Sequence, residues 1–185
     1  MGPRLNLIAA ACENMGIGIK GRLPWKLKSE MAYFTKMTSQ TKDPNKKNAV
    51  IMGRKTWQSI PLKYRPLADR VNVVLSSNKI EVDDDVLLCS SLEMAMAQLQ
   101  QPPLGETIET VWVIGGSSVY KESLNMPECH RIYLTNVKAL YECDTFFPEI
   151  LPAFKLLQDP DVPQGEQEEN GVKYEYKVYE KDLKD

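Results

Sequence analysis

One carboxylate of the sequence lies where a carboxylate is costly. Residues 27–37 (LKSEMAYFTKM) have helical periodicity, and Leu27, Met31 and Phe34 form an apolar face at i, i+4 and i+7. Glu30 falls on the same face. A buried carboxylate is unfavourable unless it is paired or used, and burial raises its pKa. Glu30 is therefore a candidate acid–base group, although periodicity alone also fits a hydrogen-bonded structural carboxylate or one at the helix margin.

Two glycine turns are candidates for binding phosphate. Residues 52–56 (MGRKT) lead from an apolar run into a helical segment through one glycine, followed by Arg54 and Lys55. Residues 114–118 (IGGSS) do the same through two glycines and two hydroxyls. The free N–H groups at a helix start attract anions. Either turn alone fits a plain strand–helix connection, but the pair suggests a dinucleotide pyrophosphate held between two helix N-termini.

A third glycine-rich segment, residues 16–21 (GIGIKG), matches the pattern GxGxxG. A dinucleotide fingerprint of the Rossmann type must open a helix directly. Here Pro24 follows within three residues, which disfavours an immediate helix. We interpret the segment as a mobile loop with glycine hinges that closes over a site.

Two further residues have ordinary interpretations when taken alone. Trp25 equally fits core packing, and Arg70 fits an ordinary surface charge.

Apolar runs that could position these residues alternate with helical segments. The runs occupy 5–12, 48–52, 71–75 and 110–114, and the helical segments 28–38, 55–60, 92–100 and 117–124. This alternation predicts a single α/β domain over 1–185, in three layers around a mainly parallel sheet. Residues 154–157 and 172–178 predict two late strands joined by a polar loop. The turn signal Asn170-Gly171 precedes the second strand, so we expect an antiparallel C-terminal edge strand.

Composition excludes several functional classes. Against 23 Lys and Arg stand 25 Asp and Glu, a net charge of −2 with no basic block, so nucleic acid is not an expected partner. The apolar stretch 7–12 is too short for a signal or membrane segment. The 4 cysteines are scattered without a CxxC pair, which argues against a metal site or disulfide framework and favours the cytoplasm.

Taken together, the motifs resemble those of dihydrofolate reductases of the animal type over essentially the whole chain. The segments that carry the resemblance are NMGIG (14–18), LPW (23–25), VIMGRKTW (50–57), IP with RPL (60–67), VWVIGGSSVYKE (111–122), DTFFPEI (144–150) and EENGVKYEYKVYEK (168–181). The resemblance implies a mixed, mainly parallel eight-stranded sheet with flanking helices. It also implies NADPH-dependent reduction of 7,8-dihydrofolate to tetrahydrofolate, supporting one-carbon metabolism and thymidylate and purine synthesis. A cytoplasmic monomer that binds antifolate inhibitors is implied as well.

The resemblance also implies roles for particular residues at the substrate. Glu30 would bind the pyrimidine edge of the pterin with Thr135 in support, Trp25 would hold a water in that network, and Leu23 would lie on the loop over the nicotinamide. Arg70 would pair with the α-carboxylate of the glutamate tail, which a guanidinium fork matches in shape. The other implied substrate positions are Ile8, Ala10, Met31, Phe34, Ile60, Tyr64, Leu67 and Ile114.

A second set of residues is implied for NADPH, together with a cis peptide at Gly115-Gly116. Loop and nicotinamide positions are Ala10, Ile17, Gly18, Gly21 and Arg22. Phosphate-binding positions and their neighbours are Gly53, Arg54, Lys55, Thr56, Gly115, Gly116, Ser117, Ser118, Val119 and Tyr120. The adenosine end would be lined by Leu75, Ser76 and Ser77.

The sequence departs from the family pattern at several of these positions. An aromatic residue is common where Met31 stands, asparagine where Tyr64 stands, and an acid where Arg22 stands. Basic residues often found at 77 and 90 are replaced by serines, which predicts weaker recognition of the 2′-phosphate of NADPH. Two alternative functions stay open: a nucleotide-binding relative without catalysis, and a reductase of similar fold acting on another pterin or pyrimidine, as in riboflavin biosynthesis. Glu30, Trp25 and Thr135 speak against the first and Arg70 against the second.

Overall fold

The computed structural model describes residues 3–182, in which strands and helices alternate as the apolar runs predict. The strands are β1 (Arg4–Ala11), β2 (Gly16–Gly18), β3 (Lys47–Gly53), β4 (Arg70–Leu75), β5 (Leu87–Cys89), β6 (Ile108–Val113), β7 (Cys129–Val137), β8 (Thr145–Phe146), β9 (Phe154–Leu157), β10 (Glu166–Glu169) and β11 (Val172–Lys181). The helices are α1 (Lys28–Ser39), α2 (Arg54–Ser59), α3 (Leu92–Gln100) and α4 (Ser117–Leu124). Short 3₁₀ turns occupy Leu62–Tyr64 and Leu104–Glu106.

The main sheet has the strand order β10-β11-β7-β1-β6-β3-β4-β5. Neighbours from β7 to β5 are parallel, whereas β11 pairs antiparallel with β7. On its other side β11 pairs with β10 near its start and with β9 near its end, so these two short strands share one position. The sheet is therefore eight positions wide, with an antiparallel C-terminal edge, and the predicted fold class is confirmed.

Helices cover both faces of the sheet because the central strands are apolar on both sides. One core cluster joins α3 and α4 to the sheet through residues such as Leu99 and Val119. The other joins α1 and α2 through Tyr33 and Trp57. Each fully buried aliphatic side chain contributes about 1.5–3 kcal/mol relative to an exposed one. This three-layer packing fixes α1 against one face and presents its residues to the end of the sheet.

Five strands escape the sequence analysis. Strand β7 is the longest of them and lies in the middle of the sheet, yet His130, Arg131 and Asn136 interrupt its apolar pattern. Strands β2, β5 and β8 have only two or three residues, too few for a pattern to emerge. Strand β10 (EQEE) is polar throughout and lies within the predicted polar loop. Its backbone pairs with β11 without any help from apolar side chains.

Candidate functional site

The predicted acid, Glu30, lies in the first turn of α1 and is only 6% exposed. Its Oε1 accepts a hydrogen bond of 3.1 Å from Oγ1 of Thr135, a buried residue of the central strand β7. Burial raises the pKa of Glu30 above its ordinary value, and the hydrogen bond from Thr135 offsets part of that rise. Glu30 is therefore buried and hydrogen-bonded to Thr135, and it is a carboxyl that takes up a proton more readily than usual.

Three buried donors lie in the apolar cluster that contains Ile8 and covers this face of the sheet. Among the described residues, none accepts a hydrogen bond from Trp25 Nε1, Trp112 Nε1 or Tyr33 Oη. Because buried polar groups in native proteins are nearly always satisfied, such donors mark a place where water or a polar ligand is expected. Trp25 also contacts Tyr141, with ring centroids 5.5 Å apart, so its indole orientation is fixed by the neighbouring loop.

Several residues implied for substrate and cofactor come together at one end of the sheet, whereas Arg70 begins β4 and lies at the opposite end of that strand. Ala10 is the register partner of Thr135, and Gly53 is the partner of Leu75. Ile114 directly follows β6, and its N–H donates to Ile51 of β3. These positions all lie at the carboxyl ends of parallel strands, which is where ligands bind in open α/β sheets. The family resemblance assigned these positions to one site, and the strand order places them at the same edge of the sheet.

The side chains around this edge are graded in exposure. Met31 and Tyr64 are large and exposed, at 47% and 59%, and Leu23 on the glycine loop is 45% exposed. Positions that pack partly buried against the second core cluster are Ala10, Phe34, Ile60, Leu67 and Ile114. Apolar side chains of this kind, on the face of the sheet that α1 covers, are the type that binds a flat, partly apolar ligand.

Helix α1 receives its N-terminal cap from a distant part of the chain. Its N-cap residue, Leu27, provides no side-chain acceptor. Instead, the carboxylate of Glu169 accepts from the N–H groups of Lys28 and Ser29 at 2.7 and 2.8 Å. These two bonds lower the pKa of Glu169. The sequence analysis missed this residue, which lies on the polar strand β10 and fixes the start of the helix that carries Glu30.

We expect Glu169→Ala to lower the melting temperature by about 2–4 °C, because it leaves two helix N–H groups without their acceptor. Glu169→Gln retains one acceptor oxygen and is expected to lose less. The lowered pKa means that the stabilisation is present at neutral pH and is lost as pH falls through that pKa. Thermal unfolding of the variants between neutral and acidic pH measures both effects. Glu168→Gln, an exposed neighbour on the same strand, is the matched control, and equal losses at 168 and 169 would contradict the capping role.

The two glycine turns lie side by side. Gly53 and Gly116 are the N-cap residues of α2 and α4, neither with a capping side chain, and Gly53 N–H donates to Gly115 O at 2.9 Å. The Gly115-Gly116 peptide is cis, as the resemblance implies. Gly115 has φ of +136°, and a Cβ there would lie 3.2 Å from Thr56 Oγ1. Only glycine suits this conformation and this approach, which leaves backbone close to any anion bound between the turns.

Cations and hydroxyls flank these turns unevenly. Lys55 is exposed and Arg54 partly so, whereas Ser118 is the more exposed of the two serines that begin α4. At the end of β4, the Ser76 hydroxyl donates to Asn78 O at 2.7 Å and Ser90 Oγ contacts Met94 Sδ, so both hydroxyls already have local partners. The exposed Ser77 is not bonded in this way among the described residues. The donor set fits a dinucleotide pyrophosphate better than it fits an additional phosphate at the adenosine end.

Tyr120 connects the cofactor side to the substrate side. Its buried hydroxyl donates to the carbonyl of Ile8 at 2.8 Å. Burial, reinforced by the charge of Glu30, raises the pKa of this phenol, so it remains a donor. Ile8 O therefore already accepts one hydrogen bond, and a ligand would use its second lone pair.

No helix begins directly after GIGIKG, as Pro24 predicts, and α1 starts only at Lys28. Strand β2 pairs with β8 instead, Ile19 and Arg22 form a β-bridge, and Gly21 has φ of +75°. Lys20 N–H donates to Asp144 Oδ2 at 2.9 Å. The loop is thus folded against residues 138–147 and carries Leu23 and Arg22 at its exposed end.

Arg70 is held by two hydrogen bonds that leave part of its guanidinium unused. Nε donates to Ala68 O and Nη1 to Thr38 Oγ1, both at 2.8 Å, and Thr38 is fully buried. No carboxylate within residues 3–182 forms an ion pair with Arg70. Nearby, the buried Asn72 side chain bonds both the N–H and the carbonyl of Leu67 at 2.9 Å. Thr38 and Asn72 were missed by the sequence analysis, since neither stands in a motif that signals such a role.

The family model described as dihydrofolate reductase matches residues 4–181. The chain belongs to the dihydrofolate reductase family. Dihydrofolate reductase of Drosophila melanogaster is 51% identical over 181 residues, covering 96% of this chain and 98% of the relative. That of Gallus gallus is 48% identical over 183 residues, covering 97% of each. A solved structure of Schistosoma mansoni dihydrofolate reductase matches with a TM-score of 0.88 at 38% identity, covering 98% of this chain and 100% of that one.

No group of three or more His, Cys, Asp or Glu side chains within residues 3–182 is arranged to hold a metal ion. No helix in that part of the chain is long and apolar enough to cross a membrane. Membership of the dihydrofolate reductase family implies a nicotinamide cofactor in general.

Proposed function

We propose that this member of the dihydrofolate reductase family transfers hydride from NADPH to C6 of 7,8-dihydrofolate while N5 gains a proton, giving 5,6,7,8-tetrahydrofolate. The observation that carries the proposal is the buried Glu30–Thr135 pair at the carboxyl edge of the sheet. A carboxyl with a raised pKa on an apolar wall matches the amino-pyrimidine edge of a pterin, which offers adjacent N–H donors.

Glu30 binds and orients the ring in this proposal. Thr135 holds Oε1, and Oε2 stays available to the pterin. N5 lies across the ring from the pyrimidine edge, so Glu30 cannot hand its proton to N5 directly. Proton delivery runs through water or through a ring tautomer that Glu30 controls. Trp25 Nε1, buried and without a protein acceptor among residues 3–182, suits the water in this network.

The remaining residues position the ring and exclude water. The half-buried wall of Phe34, Ile60 and Leu67 holds the ring system, and Met31 and Tyr64 extend the wall toward solvent. The loop that carries Leu23 covers the nicotinamide side, where bulk water would compete with hydride transfer. Arg70 receives the α-carboxylate of the glutamate tail with the N–H groups that Thr38 and Ala68 leave unused.

NADPH fits the paired turns in chemical terms. When bound, it supplies the hydride. The backbone at Gly53, Gly115 and Gly116, with the start of α4, would hold its pyrophosphate, and Arg54, Lys55 and Thr56 would surround it. Ala10, Ile17 and Gly18 would contact the nicotinamide half. Leu75, Ser76 and Ser77 would line the adenosine.

We expect NADPH to be preferred over NADH by a narrow, salt-sensitive margin, because serines stand where basic residues would hold the 2′-phosphate. We expect the exposed Lys55, together with nearby hydroxyls, to contact the 2′-phosphate and to supply about 1–3 kcal/mol of binding free energy. This corresponds to a preference for NADPH of roughly ten- to a hundredfold. Lys55→Gln should reduce the NADPH/NADH ratio of kcat/KM, and Ser77→Arg should increase it. Steady-state kinetics with both cofactors at two salt concentrations measures the ratio. Equal use of both by the unmodified protein would contradict the assignment of NADPH.

The decisive test of the function is loss of NADPH absorbance when dihydrofolate is added to the purified chain. Cofactor binding without turnover would instead favour a non-catalytic relative. Turnover of a small pyrimidine but not of dihydrofolate would favour the reductase of similar fold. Antifolates should compete with dihydrofolate. We further propose that the chain acts in the cytoplasm, a reducing compartment that suits its free cysteines. We also propose that it is a monomer, which analytical ultracentrifugation would check.

A further inference from the structure

Two of the cysteines lie next to each other although they are 131 residues apart in sequence. Sγ of Cys12, immediately after β1, is 3.9 Å from Sγ of Cys143, just before β8. Cys12 is buried, at 3% exposed, and Cys143 is partly exposed. Cys89 and Cys129 are both buried and contribute to the other core cluster.

The pair lies at the base of the glycine-rich loop. Cys12 Sγ donates to Asn14 Oδ1 at 2.9 Å, and the same oxygen accepts from Gly16 N–H at 3.0 Å. Cys12 N–H donates to Gly16 O at 3.0 Å. Cys143 packs so closely on Gly16 that any side chain there would overlap it. On the other side, Asp144 N–H donates to Gly18 O at 3.0 Å, so residues 143–144 are tied to the loop on both sides of Gly16.

We propose that Cys12 and Cys143 form an oxidation site, in which a peroxide converts the two thiols into an intramolecular disulfide that fastens the base of the loop. The two sulfurs must approach from 3.9 Å to about 2.05 Å, a shift of side-chain scale. In a reducing compartment the two thiols of such a site are not cross-linked, and this is its resting state. Oxidation of the thiols is the signal that forms the disulfide.

The chemistry balances with a peroxide as the only co-reactant. The more exposed Cys143 attacks one peroxide oxygen, the O–O bond breaks, and a sulfenic acid and one water (an alcohol, from an organic peroxide) result. Sγ of Cys12 then attacks the sulfenic sulfur, the S–O bond breaks, and the hydroxyl leaves as a second water after taking a proton. Two thiols lose two electrons and two protons, and the peroxide gains both. Thioredoxin-type dithiols return the disulfide to two thiols by thiol–disulfide exchange and become oxidised themselves.

Oxidation should restrain the loop more than it changes its structure. The loop between Asn14 and Pro24 is otherwise held by non-covalent hydrogen bonds to residues 138–147, which open by local fluctuation. A covalent bond at its base removes much of that opening. The exposed Lys20 and Arg22 are trypsin sites within the loop, so their cleavage rate reports on the opening directly.

Peptide mapping tests the cross-link, which does not depend on the proposed reaction. The reduced, folded protein is treated with hydrogen peroxide, free thiols are alkylated, and the unfolded chain is digested with trypsin without reductant. We expect peptides 5–20 and 139–155 joined at a mass two hydrogens below their sum. Cys143→Ser should abolish the joined species, and Cys89→Ala, the matched control, should retain it. Oxidation of Cys143 to sulfinic acid without a joined peptide would overturn the proposal.

The reaction should also accelerate as pH rises. Burial, together with the neighbouring Cys12 thiol and Asp144, raises the pKa of Cys143, while a hydrogen bond involving the Gly18 backbone opposes this. The thiolate is the reactive form, so cross-linking should be faster at pH 8.5 than at pH 7. A rate that is independent of pH would contradict attack by this thiol.

Two further measurements test the effect on the loop. Cleavage of the folded protein at Lys20 and Arg22 should be slower by roughly fivefold or more after oxidation, and dithiothreitol should restore it. The effect on turnover rests on the proposed function: kcat should fall by roughly threefold or more in the oxidised protein but not in peroxide-treated Cys143→Ser. Unchanged cleavage and kcat in a fully cross-linked sample would overturn control of the loop. A reduced protein without any turnover would refute the proposed function and leave the peptide and cleavage tests intact.

Discussion

Glu30→Gln is expected to slow hydride transfer by at least about a hundredfold at neutral pH while leaving NADPH affinity nearly unchanged. Glutamine keeps the size of the side chain and its acceptor for Thr135, but it cannot supply a proton or a charge to the pyrimidine edge. Single-turnover absorbance measures the hydride step, and cofactor fluorescence measures NADPH affinity. Glu93→Gln, an exposed carboxyl in the first turn of α3, is the matched control and should leave both unchanged. If Glu30→Gln retains most of the activity, Glu30 has no part in proton delivery.

The pH dependence separates a chemical role of Glu30 from a structural one. Burial raises the pKa of Glu30, so the protonated form persists to higher pH than for an ordinary carboxyl. Hydride transfer should decline as pH rises through that pKa, and the decline should be absent in Glu30→Gln. The raised pKa also means that the folded state binds the proton more tightly than the unfolded state, so stability falls as pH rises from the unfolded to the folded pKa. Glu30→Gln should therefore gain stability relative to wild type above that range. A shared pH profile would indicate that another group titrates.

Much of the fold could be predicted because local signals agreed with tertiary structure. Helices α3 and α4 match their predicted bounds, and α1 and α2 match within one residue at each end. Apolar runs predicted β1, β3, β4 and β6 because a strand that is covered on both faces is apolar on both faces. Strand β7 was missed for the opposite reason. Its Arg131 is charged and only partly buried, and it bonds Asp159, Glu180 and the Tyr133 hydroxyl. No local sequence pattern predicts this polar network.

The residues of the site likewise fall into those that could be predicted from the sequence and those that could not. Periodicity placed Glu30 on an apolar face, and the family resemblance paired it with Thr135, whose strand the pattern had not revealed. Glu169 caps α1, Thr38 holds Arg70, and Asn72 holds the backbone of Leu67. These contacts depend on how separate segments of the chain pack together. Each is a polar residue in a polar or ordinary stretch of sequence, so only the three-dimensional arrangement distinguishes it from a solvated side chain. The cysteine pair illustrates the same limit, because scattered positions in sequence gave no sign of proximity.

Arg70→Ala is expected to raise KM for dihydrofolate by about tenfold or more, with a much smaller change in kcat. A charge-assisted hydrogen bond contributes about 1.5–3 kcal/mol, and Arg70 has no carboxylate partner within residues 3–182. The glutamate tail is remote from C6 and N5, so the lost contact weakens ground state and transition state alike. Steady-state kinetics over a range of dihydrofolate concentrations measures the effect.

A pterin substrate without the glutamate tail distinguishes recognition from folding. Its kcat/KM should be nearly the same for Arg70→Ala and wild type, because the tail contact is missing in both. Arg70→Lys keeps the charge but loses the planar fork held by Thr38 and Ala68, and it should recover only part of the affinity for dihydrofolate. Thr38→Val removes one of the two anchors of the fork and should raise KM by a smaller factor, again for the tailed substrate alone. If all three variants lose equally on both substrates, Arg70 acts by holding the end of α1 to β4, and the tail binds elsewhere.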